Sequence, residues 1–406
     1  MLLSPRPRRI HQTCPPLLLL LATQLPAAAQ GGGARSGADS TPKVPHASDG
    51  TVGSTTWGVQ LGYYDVSDSG GGNPFVAEDV TVIEPVIYFD YQATEDVGYW
   101  AMLSYDWVSS ASIERTKRFG LQGGASGDYY AGLDVGMRRR LDEERSVGAH
   151  FGVSKEYDYL SIGLGGDLTL EAQDRNSSWS FGLNGYFDQL DLIRWDGRED
   201  GTDERFSVAG SVGYYRVLSP LWHAQFGLTL SNQSGYLETP INSVVIEDDA
   251  LAPNPDLIGM PRGTEADEQL PDERQRVALH GRARRAIGPY QAFEIGGRLY
   301  DDSWGIQAIS LQPGWIWEVM PDHLLMRLHY RYYQQSAADA FSDHLTSDLA
   351  ERTQDPELGD LDSHTYSASF VWMRPGGVEW DFGLSFMDRS DDLEHIFGMV
   401  GWHWSH

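Results

Sequence analysis

DYLSIGLGGDLTLEAQDRNSSWSFGLNGYFD, residues 158–188, decides how the chain is read. It holds two alternating segments, 158–171 and 176–188, joined by the turn sequence Gln173-Asp174-Arg175. In the second segment Trp179, Phe181, Leu183 and Phe187 share one parity, so one face of a pleated strand is apolar. The other face is Ser, Gly, Asn and Tyr. Such segments exceed the usual soluble strand of about five or six residues. They match the roughly 9–11 residues a tilted strand needs to cross a bilayer.

The same rhythm recurs along the chain. Alternating segments lie near 55–65, 79–92, 97–109, 127–140, 144–154, 158–171, 176–188 and 205–216. Eight more lie near 221–234, 274–286, 290–301, 304–318, 323–336, 363–374, 378–388 and 395–405. In 97–109 the apolar parity is Tyr99, Ala101, Leu103, Tyr105 and Trp107; in 378–388 it is Val378, Trp380, Phe382, Leu384 and Phe386. Two segments read less cleanly: 304–318 carries Pro313-Gly314, and 363–374 is short. Links after even segments are short, such as Thr94-Glu95-Asp96, Asp142-Glu143-Glu144 and Pro375-Gly376-Gly377. The long links, about 66–78, 110–126, 189–204, 235–273 and 337–362, all follow odd segments. Short turns at one end and long loops at the other are the pattern of outer-membrane barrels, short side periplasmic and long side external. Trp100, Trp107, Trp195, Trp222, Trp304, Trp315, Trp317, Trp402 and Trp404 lie near segment ends and are expected to form an interfacial girdle. The expectation is an all-β fold, a closed antiparallel transmembrane β-barrel of about 16 strands over residues 53–406.

Residues 1–29 read as a secretory signal peptide, with Arg6, Arg8 and Arg9 before an apolar core at 17–22 and Ala27-Ala28-Ala29 as the cleavage site. Cys14, the one cysteine, precedes that core, so the exported chain is expected to have neither disulfide nor thiolate site. Residues 30–52, rich in Gly, Ser, Ala and Pro, read as a flexible linker. The expected location is the outer membrane of a Gram-negative cell. The 58 acidic residues against 30 basic ones argue against a nucleic-acid partner, which needs clustered positive charge. The expected partners are outer-membrane lipid, the barrel assembly machinery and, on one reading, a periplasmic protein. Barrel proteins commonly end in an aromatic residue; this chain ends Trp404-Ser405-His406, and Phe397, Trp402 and Trp404 are candidates to serve instead.

Several stretches resemble an uncharacterised family of outer-membrane barrels catalogued as domain of unknown function 3570. They include EDVTVIEPVI (78–87), YDWVSSASI (105–113), YDYLSIGLGGDLTLEAQDRNSSWSFGL (157–183), GYLETP (235–240), LPDERQRVALHGR (270–282), YDDSWGI (300–306) and RLHYRYYQQSAADAF (327–341). The resemblance implies an outer-membrane barrel and an envelope redox context, and it implies no reaction.

With the apolar parity toward lipid, the polar parity fills the lumen. One wall then carries Glu84, Asp90, Asp106, Asp134, Asp167 and Glu171, with Arg138 and Arg140 near the short-turn end. The other carries Arg274, Arg276, His280, Arg282, Arg284, Arg298, Arg327, His329 and Arg331, with Glu294 among them. In a ring of sixteen the two walls face each other, and a transverse field favours dipolar or charged solutes. The competing reading is a salt-bridged network that plugs the lumen. The link 235–273, with five prolines, is the candidate constricting loop.

Enzyme motifs are lacking: no Gly-x-Ser-x-Gly, no His-Glu-x-x-His and no P-loop. Ser336 and His329 do not make a lipid-side hydrolase, because His329 is expected to face inward. No catalytic residue and no cofactor is assigned. Asp196, Glu199, Asp200, Asp203 and Glu204 crowd one external link and offer the oxygen ligands that Ca²⁺ takes. Glu247, Asp248 and Asp249 form a similar group, and His403 with His406 a bare pair. None has an EF-hand spacing, and a solvated acidic loop is the plainer reading. The functional expectation is a porin-like channel for small polar solutes or ions. The alternatives are a non-conducting outer-membrane scaffold or export partner in an envelope assembly and, less favoured, a surface enzyme.

Overall fold

The computed structural model describes residues 51–69, 73–75, 79–109, 128–254, 257 and 260–406. The expected signal peptide and nearly all of the expected linker lie outside these residues. The first nine strands are β1 (Thr55–Asp68), β2 (Val80–Gln92), β3 (Val97–Val108), β4 (Asp128–Arg140), β5 (Arg145–Lys155), β6 (Tyr159–Glu171), β7 (Ser177–Ile193), β8 (Glu199–Ser219) and β9 (Trp222–Gly235). The next four are β10 (Ser243–Pro253), β11 (Pro261–Asp267), β12 (Glu273–Gly288) and β13 (Gln291–Asp302). The last five are β14 (Gln307–Met320), β15 (Leu324–Gln335), β16 (Leu361–Arg374), β17 (Val378–Arg389) and β18 (Leu393–Ser405).

Sixteen of them close into one antiparallel barrel; β10 and β11 form a separate two-stranded ribbon. β9 pairs with β12, and β18 returns to β1 with Trp57 opposite Trp404 and Leu61 opposite Val400. All sixteen expected segments are barrel strands. β14 runs through Pro313 without breaking: Pro313 lies opposite Ile295, and only the register with β15 lapses between Leu311↔Tyr332 and Gly314↔His329. A proline has no N–H to give on that side, and one lapse is tolerated where the other side stays paired.

The two parities separate as expected. Leu164, Leu183, Phe226 and Leu384 are 59–63% exposed on the outer face. A soluble core would hide such residues, whereas a closed ring in hydrocarbon presents them to lipid. No helix is long and apolar enough to cross a membrane among the described residues. At the short-turn end, Trp57, Trp179, Trp222, Trp315, Trp317, Trp372, Trp380, Trp402 and Trp404 share the outward parity and form a girdle. Trp402 and Trp404 lie 4.4 Å apart and Trp57 and Phe89 4.6 Å apart, ring to ring. Three tryptophans expected in this belt are elsewhere. Trp100 points inward beside His150. Trp195 donates its indole N–H to Asp267 at 2.8 Å, and Trp304 is 4% exposed in a loop core. Proximity to a strand end does not fix parity, and parity decides which side a ring meets.

The barrel register makes a quantitative expectation. Leu183 faces outward between Trp179 and Phe187, while Ser180 on the same strand faces inward. Leu183→Arg should cost about 2–4 kcal/mol of folding stability in lipid vesicles. Ser180→Arg should cost clearly less by the same urea titration, and equal costs would contradict the assignment of faces.

Candidate functional site

The inward parity builds the site. Glu84 and Asp90 on β2, Asp106 on β3, Asp134 on β4 and Asp167 on β6 face the lumen by register. Arg276, His280 and Arg282 on β12, Arg298 on β13, and Arg327, His329 and Arg331 on β15 face it too. Ring order sets β3 half a turn from β13, so the acidic and basic groups stand on opposing walls.

Each wall is partly neutralised from within. Arg138 forks onto Asp90, with Nη2 2.6 Å from Oδ1 and Nη1 on Oδ2. Tyr88 donates to the same carboxylate at 3.1 Å. On the basic wall, Glu294 accepts from Arg284 at 2.6 and 2.9 Å and lies 3.5 Å from both Arg282 and His329. Arg327 is within electrostatic reach of Arg284, Asp381 and Glu294. His280 folds across the neighbouring strand at Gly227, where a Cβ would stand 2.4 Å from the imidazole. That glycine leaves room for a large side chain to lie against the wall rather than across the lumen. Asp167 on β6 and Arg298 on β13, five places apart in the ring, are exposed although they face inward. The lumen is therefore not packed solid at either position.

The long-loop end carries a folded cap that sequence patterning did not resolve. The link between β9 and β12 holds the ribbon β10–β11, with Val244 opposite Ala266 and Ile246 opposite Thr264. This ribbon meets loops from distant parts of the ring. Asn73, in the link after β1, donates to Asn242 at 3.1 Å, and Asn242 donates to Asp355 in the link after β15 at 2.8 Å. β1 and β9 are eight places apart in a ring of sixteen, so this chain of hydrogen bonds crosses the mouth. Phe75, Val245 and Leu257 form an apolar cluster with Met260 packed against it. Leu237, Leu270, Trp304, Ile306 and Ala338 form a second, larger cluster. Val245 N–H donates to Gln354 at 2.7 Å, and Glu247 N–H donates to Leu345 at 2.7 Å. The signals were present: Val244-Val245-Ile246 is a β-branched run, and a 39-residue link without structure is uncommon.

The acidic link 196–204 is drawn out along strands rather than gathered into a loop. β7 and β8 extend past the expected ends, and Glu199, Asp203 and Glu204 sit on β8 opposite Ile193, Leu190 and Gln189. Asp200 pairs with Arg194 at 2.8 Å, and Asp196 accepts from the Arg198 N–H at 3.0 Å. His403 pairs with Asp381 at 2.9 Å. No group of three or more His, Cys, Asp or Glu that could hold a metal occurs among the described residues.

A closed ring of strands, apolar outside and charged inside, is an outer-membrane-type β-barrel. The chain belongs to the family described as protein of unknown function (DUF3570), whose profile matches residues 127–401. None of the curated proteins matches it by sequence. Among solved structures it is similar to a bacterial polysaccharide outer membrane secretin, at 9% identity and a TM-score of 0.48 over 86% of this chain and 97% of that one. It is also similar to OccK1 (OpdK) from Pseudomonas aeruginosa, at 8% identity and a TM-score of 0.42 over 87% and 98%. The siderophore receptor PirA from Acinetobacter baumannii matches at 10% identity and a TM-score of 0.43 over 84% of this chain, which spans 53% of PirA.

The cap is held at a buried carboxyl outside the membrane-spanning strands. Glu268 is 2% exposed and accepts from Thr239 N–H at 3.0 Å and Thr353 Oγ1 at 2.5 Å. Burial, reinforced by the charge of Asp355, pushes it up to about 8 from the ordinary 4.5. A raised carboxyl favours the folded cap while protonated. Its contribution is complete below 4.5 and is lost as pH rises toward about 8. Amide exchange over residues 236–272, corrected for intrinsic rate, should be slower at about pH 5 than at about pH 9. Glu268→Gln should flatten the dependence; equal protection at both values in the native chain would contradict it.

Proposed function

We propose that the protein is an outer-membrane channel for small polar or charged solutes, with its external mouth narrowed by the interlocked loops. The observation that carries this reading is the exposure of the inward-facing Asp167 and Arg298. A lumen filled by salt bridges would bury both. Inward charges held against the wall, such as Asp90 by Arg138, leave a polar surface without closing the passage. The transverse field between the walls favours charged and dipolar solutes over apolar ones. The cap sets the size limit, because the Asn73–Asn242–Asp355 chain divides the mouth.

The same chain favours a second reading, a non-conducting scaffold in an envelope assembly, in which the cap seals the barrel. Planar-bilayer conductance separates the two. The native chain should conduct, and deletion of residues 243–267 should raise conductance severalfold, because the ribbon is the part of the cap that reaches across. Absence of conductance in both proteins would overturn the channel reading and support the scaffold.

A further inference from the structure

Directly beneath the cap, Asp302 at the end of β13 is saturated. Its Oδ2 accepts from Arg274 Nε at 2.9 Å, Arg274 Nη2 at 2.5 Å and Tyr300 at 2.7 Å. Its Oδ1 accepts from the Trp304 and Ile306 N–H groups, both at 3.0 Å. Arg276 is the residue opposite Asp302 on β12, and no lone pair of that carboxylate remains for it. Arg276 is 6% exposed, and its Nε and Nη1 have no hydrogen-bond partner. A buried guanidinium with two unmet donors, supported only by Tyr300 and by the charge of an Asp302 it shares with Arg274, is unfavourable unless something completes it.

The surroundings state what that something is. Arg276 and Arg274 are within electrostatic reach of each other, and the Arg274 guanidinium lies 4.2 Å over the Trp304 ring, already committed to Asp302. Arg298 lies 5.8 Å over the Tyr300 ring and is exposed to the lumen. Arg331 lies 5.3 Å over the ring of Tyr333, a residue within electrostatic reach of Arg274, Arg298, Arg331 and Arg389. Positive charge thus converges from β12, β13, β15 and β17 on one level of the lumen. Asp302 is already engaged by Arg274, and Asp391 and Glu357 by Arg389.

We propose that Arg276 and Arg298 form a binding site for a small oxyanion, a carboxylate or phosphate, on the lumen side of Tyr300. An oxyanion entering beside Tyr300 draws the two unmet donors of Arg276, closed off from solvent in this structure, toward the lumen, where Arg298 lies over the same tyrosine ring. The Trp304 indole, donating to Glu273 O at 2.9 Å, roofs the site from the cap. The inference deepens the channel reading by naming the class of solute, and it rests on that reading for its role in transport, though not for binding itself.

The test is equilibrium binding on the full chain refolded in detergent, titrated separately with inorganic phosphate and with acetate, and read by calorimetry and tryptophan fluorescence. Saturable binding of at least one anion is expected. Arg298→Gln, at an exposed position that leaves the buried cluster intact, should weaken it about tenfold, and Arg276→Gln should weaken it further. Glu143→Gln, in a short turn at the far end, should leave it unchanged. No saturable binding of either anion, or binding that Arg298→Gln leaves unaltered, overturns the proposal. Conductance is read independently: binding without conductance keeps the site and discards the channel, whereas conductance without binding discards the site alone.

Discussion

Hydrocarbon offers no hydrogen-bond partner to a peptide group, and the structure depends on that constraint. A strand crossing a bilayer must give every N–H and C=O to a neighbour, and an open edge would leave a row unmet. The pairing of β18 with β1 removes the last edge. Once the sheet is closed, the period of two does the rest. Every second side chain meets lipid, and its neighbours meet the lumen. The apolar outside and charged inside are one fact seen from two sides.

Closure also explains where irregularity gathers. Between the strands at the short-turn end, a few residues suffice, as in Thr94-Glu95-Asp96. At the other end the chain is free of the bilayer and can build a small soluble-type fold, with its own ribbon, buried apolar clusters and buried carboxyl. The change of solvent shows in Trp304 and Trp179. Trp179 lies on the lipid face, 46% exposed, while Trp304 lies in a dry loop core at 4%. At Gly235, with φ +102°, β9 hands the chain to the cap. A Cβ there would stand 2.2 Å from the Glu204 carbonyl oxygen, so the crossing point needs a glycine both for its backbone angle and for space.

The barrel was legible because alternation survives in single segments: Trp179, Phe181 and Leu183 announce a lipid face without help from any other strand. The opposing walls were legible as soon as parity and strand order were combined, which placed Asp134 and Arg298 on facing sides. Three features were not. The cap depends on contacts such as Asn73–Asn242, 169 positions apart, that no local pattern encodes. The pairing of Asp90 with Arg138 needs the register of β2, β3 and β4 together. The two unmet donors of Arg276 follow from five other donors converging on Asp302, and composition would have assigned that carboxylate to either arginine.

The central claim is that hydrocarbon touches the side chains of Trp179, Phe181, Leu183 and Phe187 on β7, while those between them face the lumen. It is tested most directly by placing nitroxide labels singly at positions 178–188 of the chain in lipid vesicles, with Cys14 replaced by serine. Collision with oxygen, which concentrates in lipid, and with a water-soluble nickel chelate is then read position by position. The account predicts oxygen-dominated collision at 179, 181, 183 and 187, alternating with greater access of the chelate at 178, 180, 182 and 184. Odd positions shielded from both reagents, as in a packed protein core, or neighbours that respond alike, would contradict it.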